Sequence, residues 1–442
     1  MPKIDLQLCE KIVENVETIK IYGKVTRIVG TVIEGLCPDA TIGRICYIYP
    51  VAGAAPVKAE IVGFQGDKVL MMPFGDMRGL KPDSKIVSVK QSPTIRVGEG
   101  VLGRVLDSFG EPIDSHGTVY FESEYPVYAN PINPFNRRRI TEPIDLGIRS
   151  INGLLTCGVG QRIGIMSGSG VGKSLLLGMI ARNTSADVNV IALVGERGRE
   201  LKDFIERDLG EEGLKRSIVV VATSDASPLE RVRVAFSATA VAEYFRDKNL
   251  NVLLMMDSVT RFAMAQREIG LAIGEPPTTK GYTPSVFALL PKLLERTGMG
   301  EGKGSITGLY TVLVEGDDLS EPIADAVRSI LDGHIVLSRE LADKNHFPAI
   351  DVLESKSRLM MDIVDEKHRK LAGEVMDLIA TYRKSETLIN IGAYVKGSNA
   401  KIDKAIAMHS KIEEFLKQDV FEKVNFAHSL KQLQHLFVVG DK

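Results

Sequence analysis

Ser167-Gly168-Ser169-Gly170-Val171-Gly172-Lys173-Ser174 lies between two apolar runs, Arg162-Ile163-Gly164-Ile165-Met166 before it and Leu175-Leu176-Leu177-Gly178-Met179-Ile180-Ala181 after it. The first run reads as a buried strand and the second as the opening of a helix. A glycine-rich turn at a helix N-terminus aims several backbone N–H groups at one spot, where the helix dipole adds positive potential. In that setting the loop Ser169, Gly170, Val171 and Gly172 cradles phosphates, Lys173 reaches the β- and γ-phosphates, and the Ser174 hydroxyl ligates Mg2+. The strict signature begins with Gly where this chain has Ser167, and a small residue suffices to start the turn. A glycine turn that binds nothing is the bland alternative, and the strand–loop–helix context argues against it. The pattern implies a nucleoside triphosphate site.

Other apolar runs surround this one. Val188–Val194, Ile218–Thr223 and Val252–Met256 carry apolar residues almost continuously, the pattern of parallel strands buried on both faces. Asp257 ends the last of them, where a buried acid is costly unless something positive faces it. Beside a phosphate loop that positive group is Mg2+ with its water shell, so Asp257 is expected to hold the metal through water, with Ser258 and Thr260 extending the polar network. Gly195-Glu196-Arg197-Gly198-Arg199-Glu200 follows another central strand and is expected at the carboxyl edge of the sheet, beside the phosphate loop. Glu196 is then the candidate for polarising an attacking water; an ion pair between Glu196 and Arg197 or Arg199 is the competing reading. Pro348-Ala349-Ile350-Asp351-Val352-Leu353-Glu354-Ser355-Lys356-Ser357-Arg358 reads, from chemistry alone, as a loop with an arginine near its end.

The chain has 442 residues, 44% apolar and 25% charged, with a net charge of −2, which calls for two or three soluble domains. No basic block points to nucleic acid, no apolar run approaches a membrane span, and the N-terminus lacks the apolar core of a signal peptide. The four cysteines, Cys9, Cys37, Cys46 and Cys157, form no close metal-type pair and read as buried free thiols. A cytoplasmic location follows as the expectation. Residues 1–20 carry an apolar stripe, Ile4, Leu8, Ile12, Val16 and Ile19, at helical spacing, suited either to packing on its own domain or to docking a partner. Residues 21–90 change to short β-rich runs broken by Gly, Pro and Asp, the texture of a small β-barrel. With 12 Lys+Arg against 10 Asp+Glu over the first 90 residues, few aromatic rings and no Trp in the chain, that barrel is a poor nucleic-acid platform. Residues 91–360 alternate strands and helices in an α/β pattern, and 361–442 turn helical and charged.

Taken together, these residues resemble the ATPases of type III protein export, most closely the flagellar branch, a group similar in turn to the catalytic subunits of F-type and V-type rotary ATPases. Besides the P-loop, the resemblance rests on Val97–Asp107, Gly110–Asp114, Gly147–Arg162 with its Gly-Gln-Arg lead, Asp257–Ala263, Gly274–Pro277 and Gly392–Asn399. It implies an α/β P-loop (RecA-like) core with an N-terminal small β-barrel and a C-terminal α-helical domain. It also implies a homohexamer with ATP/ADP and Mg2+ at sites between neighbours. Glu196 matches the family's catalytic carboxylate, Arg197 the arginine beside it that contacts the γ-phosphate, and Arg358 the arginine reaching into the next subunit's site. Phe347 falls where an aromatic ring lies against the adenine. The resemblance further implies a stator-like regulatory protein at the N-terminal helix, a coiled-coil central stalk, export substrates with their chaperones, and peripheral attachment to an export gate at the inner membrane.

Three other readings compete. A rotary catalytic subunit would need a different companion subunit to complete each site, whereas this chain carries both Glu196 and Arg358. A ring-shaped RNA translocase would need base-stacking residues in the barrel. A regulatory nucleotide-binding subunit would lack the catalytic glutamate. Within the export group, flagellar and virulence-type motors share these motifs.

Overall fold

The structure is a computed structural model, and it describes residues 22–50, 55–89 and 92–437. The amphipathic stripe Ile4–Ile19 lies outside the described residues. The chain divides into two compact units, 1–93 and 94–442.

In the first unit six antiparallel strands close into a barrel: β1 (Gly23–Val29), β2 (Val32–Leu36), β3 (Ile45–Tyr49), β4 (Val57–Gln65), β5 (Lys68–Pro73) and β6 (Lys85–Ser88). Closure pairs β1 with β6, so neither edge is left open. Alternation sends Val25, Ile33, Cys46, Ile48, Ala59, Ile61, Met71 and Ile86 into a common interior. Burial of the Cys46 thiol in that interior pushes its pKa up to about 12, which keeps it protonated and unreactive.

The second unit opens with β7 (Thr94–Val97), β8 (Val105–Leu106) and β9 (Ser123–Pro126), of which β7 and β9 form a separate pair. The main sheet is completed by β10 (Arg162–Ser167), β11 (Val188–Glu196), β12 (Ser217–Thr223), β13 (Asn251–Asp257), β14 (Gly298–Met299), β15 (Ser305–Leu313), β16 (Gly333–Leu337) and β17 (Ile350–Ser357). Its order is β17-β16-β10-β15-β13-β11-β12-β8, with β14 attached to β15. All neighbours run parallel except the β16–β17 and β14–β15 pairs. Every residue of β11 is buried, as the continuous apolar runs require when helices cover both faces of a parallel sheet. The predicted central strands at 188–194, 218–223 and 252–256 are all present as neighbours in this sheet.

Three helices, Glu366–Asn390, Ala400–Leu416 and Phe426–His435, make the C-terminal part. They pack on the short buried helix Arg149–Leu154, where the ring of Phe415 lies against Gly153 and the His368 ring bonds the Gly153 carbonyl at 2.7 Å. Helices and core therefore share one hydrophobic cluster that runs from Ile165 and Leu177 to Ile412, Phe415 and Leu433.

Candidate active site

The phosphate loop leaves the end of β10, between β15 and β16. Ser167 closes the strand, almost fully buried, and its backbone lies outside the positive-φ region, so this position does not need the glycine of the strict signature. Gly172 does: it sits at φ 88° as the N-cap of the Lys173–Asn183 helix, and a Cβ there would lie 3.3 Å from the Phe347 ring. The first helical hydrogen bond runs from the Leu176 N–H to the Gly172 carbonyl at 3.0 Å. The N–H groups of the turn before it have no partner within the helix, the usual arrangement for binding an anion. Ser169, Gly170 and the Ser174 hydroxyl are exposed there, while Val171 is buried and anchors the loop.

Strand order brings the charged residues to this loop. Asp257 ends β13, one strand beyond β15, and is 4% exposed. Its Oδ1 receives the Lys173 ammonium at 2.5 Å and the Thr311 hydroxyl of β15 at 2.7 Å. Glu196 ends β11, the next strand, 9% exposed. Gly195 before it has φ 68°, at a register shift of the β11–β12 pairing, and this left-handed turn redirects the chain at Glu196. Glu196 Oε1 lies 3.1 Å from the Arg261 guanidinium and 4.0 Å from the Lys173 ammonium, in neither case as a well-aligned hydrogen bond. Burial and the nearby Asp257 carboxylate push its pKa up to about 7 against the pull of Lys173 and Arg261.

Lys173, Asp257 and Glu196, 84 residues apart at the widest, thus meet at the carboxyl edge of one sheet. The competing ion pairs of Glu196 do not form: Arg197 bonds Glu200 at 3.1 Å and is three-quarters exposed, and Arg199 faces Asp203 at 3.8 Å. Arg261 holds Glu196 instead, one helical turn past Ser258. Ser258 and Thr260 also differ from expectation. The Ser258 hydroxyl caps its helix, and Thr260 bonds the backbone of Leu313, so Thr311 is the residue that extends the Asp257 network. Arg358 lies apart, just beyond the edge strand β17, exposed, with its guanidinium on the Arg328 carbonyl at 3.2 Å. Arg261 lies in the Asp257–Ala263 stretch, but neither its pairing with Glu196 nor that of Thr311 with Asp257 had a local signal, since each is recognised only by what faces it across the sheet edge.

A hydroxyl and a carboxylate are hard oxygen donors, a set that suits Mg2+ held by few protein ligands with water and phosphate completing its shell. Among the described residues no three His, Cys, Asp or Glu side chains gather into a protein-only metal cage. Beside the loop, a cleft of about 1010 Å3 opens between Leu175 of the phosphate-loop helix, the Phe347 ring and the C-terminal residues 413–422.

Comparison with known proteins finds relatives along nearly the whole chain. The ATP synthase alpha/beta family matches in two parts, its nucleotide-binding domain over residues 147–357 and its beta-barrel domain over 25–90. The C-terminal domain of the type III secretion ATPase EscN matches residues 364–435. The flagellum-specific ATP synthase of Bacillus subtilis (strain 168) is 55% identical over 96% of this chain and 97% of its own length. The type 3 secretion system ATPase of Xanthomonas euvesicatoria is 50% identical over 93% of each. The assembled ATPase EscN of the enteropathogenic E. coli type III secretion system superposes with a TM-score of 0.89 at 47% identity, covering 94% of this chain and 99% of that one. A second structure holds EscN in complex with its central stalk EscO, with a TM-score of 0.87.

Proposed function

The chain belongs to the ATP synthase alpha/beta family, in its type III export group, and from that premise we propose that it hydrolyses ATP in a homohexameric ring that assists flagellar protein export. The observation that carries the reading is the meeting of Lys173, Asp257 and Glu196 behind a phosphate loop. In this reading the loop N–H groups and Lys173 bind the phosphates, and Glu196 orients the attacking water and accepts its proton at Oε1. Arg261 holds that carboxylate in place. Ser174 and, through water, Asp257 would hold Mg2+, which neutralises charge on the phosphates when bound. Arg197 contacts the γ-phosphate, and Arg358 enters the neighbouring subunit's site. The Phe347 ring supports the base at the mouth of the cleft.

The C-terminal helices fit the role of engaging a coiled-coil stalk and export cargo with its chaperones, and the N-terminal stripe that of docking a stator-like regulator. No helix among the described residues is long and apolar enough to cross a membrane. Attachment to an inner-membrane export gate is accordingly proposed to be peripheral, from the cytoplasm. The match of an export-type C-terminal domain favours this reading over a rotary catalytic subunit.

ATP turnover by the purified chain alone, measured against protein concentration, tests the ring. Specific activity is expected to rise steeply as identical subunits complete each other's sites. Activity absent at every concentration, and appearing only with a second related subunit, would favour the rotary assignment. The same assay carries a pH prediction. A carboxylate must be ionised to accept a proton, so kcat/KM is expected to fall on the acid side of an inflection at about pH 7, the value to which Glu196 is raised. A profile flat through neutrality and falling only near the ordinary carboxylate range would remove Glu196 from that role.

A further inference from the structure

One wall of the cleft is the short segment 417–422, which links the Ala400–Leu416 helix to the rest of the chain. Segments of this length between helices are ordinarily loose, yet this one is held from three sides. Gln418, 4% exposed, accepts from the Arg149 N–H at 2.8 Å and donates its amide to the Gly147 carbonyl at 2.9 Å and the Glu422 carbonyl at 3.2 Å. Its own N–H donates at 3.0 Å to the carbonyl of Phe347, the residue whose ring borders the phosphate loop. Arg149, also buried, sends its guanidinium to the Lys417 carbonyl at 3.0 Å and to the Glu422 carboxylate. From the far end of the phosphate-loop helix, Arg182 donates to the Val420 carbonyl at 2.7 Å.

From this network we infer that Gln418 is a positioning residue for the nucleotide base. It fixes the wall 417–422 and the Phe347 backbone at one separation, and so sets the width of the slot between them. The inference rests on the proposed nucleotide reading of the cleft. It adds that base affinity depends on a buried amide, which touches neither phosphate nor metal. A side chain that satisfies both its amide donor and its acceptor against backbone, in a nearly dry site, holds geometry rather than simply filling space. The same clamp ties the end of the Ala400–Leu416 helix to the slot, so a base in the slot and the placement of that helix are mechanically linked.

The test compares ATP with inorganic tripolyphosphate, which presents the phosphates without base or ribose, on the assembled full-length protein. In Gln418→Ala the Kd for ATP is expected to rise about tenfold, with a matching rise in KM, while the Kd for tripolyphosphate stays within about twofold. The turnover number at saturating ATP is expected to fall no more than about twofold, the signature of lost binding common to ground and transition states. Parallel weakening of both ligands would assign Gln418 to general stability and overturn the inference. So would an unchanged Kd for ATP. If Gln418→Ala does not fold, Gln418→Asn, which keeps the amide and shortens its reach, carries the same comparison. Failure of the underlying reading looks different: the parent protein would itself bind tripolyphosphate as tightly as ATP, or bind neither.

Discussion

Glu196→Gln is expected to lower ATP turnover by about a thousandfold while leaving ATP affinity within about threefold of the parent's. The amide keeps the size of the carboxylate, so the sheet edge at Gly195–Glu196 and the packing beneath it are retained. It cannot accept a proton from water, and it hydrogen-bonds with a different donor pattern. Binding is expected to be spared because, in the proposed site, the loop N–H groups and Lys173 hold the phosphates, and the Lys173 ammonium lies 2.5 Å from Asp257 against 4.0 Å from Glu196. Removing one of two neighbouring carboxylates also lessens the repulsion that an incoming polyphosphate meets, so any change in affinity should favour tighter binding. Single-turnover hydrolysis and equilibrium binding of ATP, measured on the same preparation, separate the two quantities. Turnover retained at the parent's level would show that the catalytic carboxylate lies elsewhere.

Arg358→Ala is expected to reduce turnover by about 10³ or more, the range for an arginine supplied in trans to a transferring phosphoryl group. Nothing in its own subunit accounts for such an effect. Arg358 sits beyond β17, at the far edge of the sheet with β16 between it and β10, and the only hydrogen bond of its side chain among the described residues is to the Arg328 carbonyl. An exposed, unpaired arginine of this kind ordinarily contributes almost nothing to stability or activity. The prediction sharpens on mixing. Ring interfaces between identical subunits are heterologous, so co-assembling Glu196→Gln with Arg358→Ala subunits unites an intact Glu196 with an intact Arg358 at about a quarter of them. Activity should return in the mixture although each variant alone is nearly inactive. A mixture that demonstrably co-assembles and stays inactive would place Arg358 outside the neighbour's site.

These two residues also show how far a linear reading reaches. Glu196 was recognisable because it follows a continuous apolar run, and a charge that terminates a buried strand must lie at a sheet edge. Asp257 follows the same rule, and the glycine spacing before Lys173 prescribes a turn that only residues tolerating positive φ can make. Arg197 illustrates the limit. Adjacent to Glu196 in sequence, it was one of the two arginines of the competing ion-pair reading, and in the fold it turns outward to Glu200 and leaves Arg261 against the carboxylate. Successive residues past a strand end point in different directions, so sequence adjacency carries little information about pairing.

The clamp at Gln418 is the extreme case. Its partners at Gly147 and Arg149 are about 270 residues away, and no property of a single glutamine between a lysine and an aspartate marks it. Local chemistry along the chain therefore determined the elements: which runs are buried strands, where the phosphate loop turns, and which acids stand at strand ends. Those features depend on hydrophobic period, glycine dihedrals and the cost of burying charge, all short-range. Which acid faces which cation was decided only by the tertiary structure. Strand order and helix packing bring residues far apart in the chain to within 3 Å, and a hydrogen bond or ion pair depends on that last ångström.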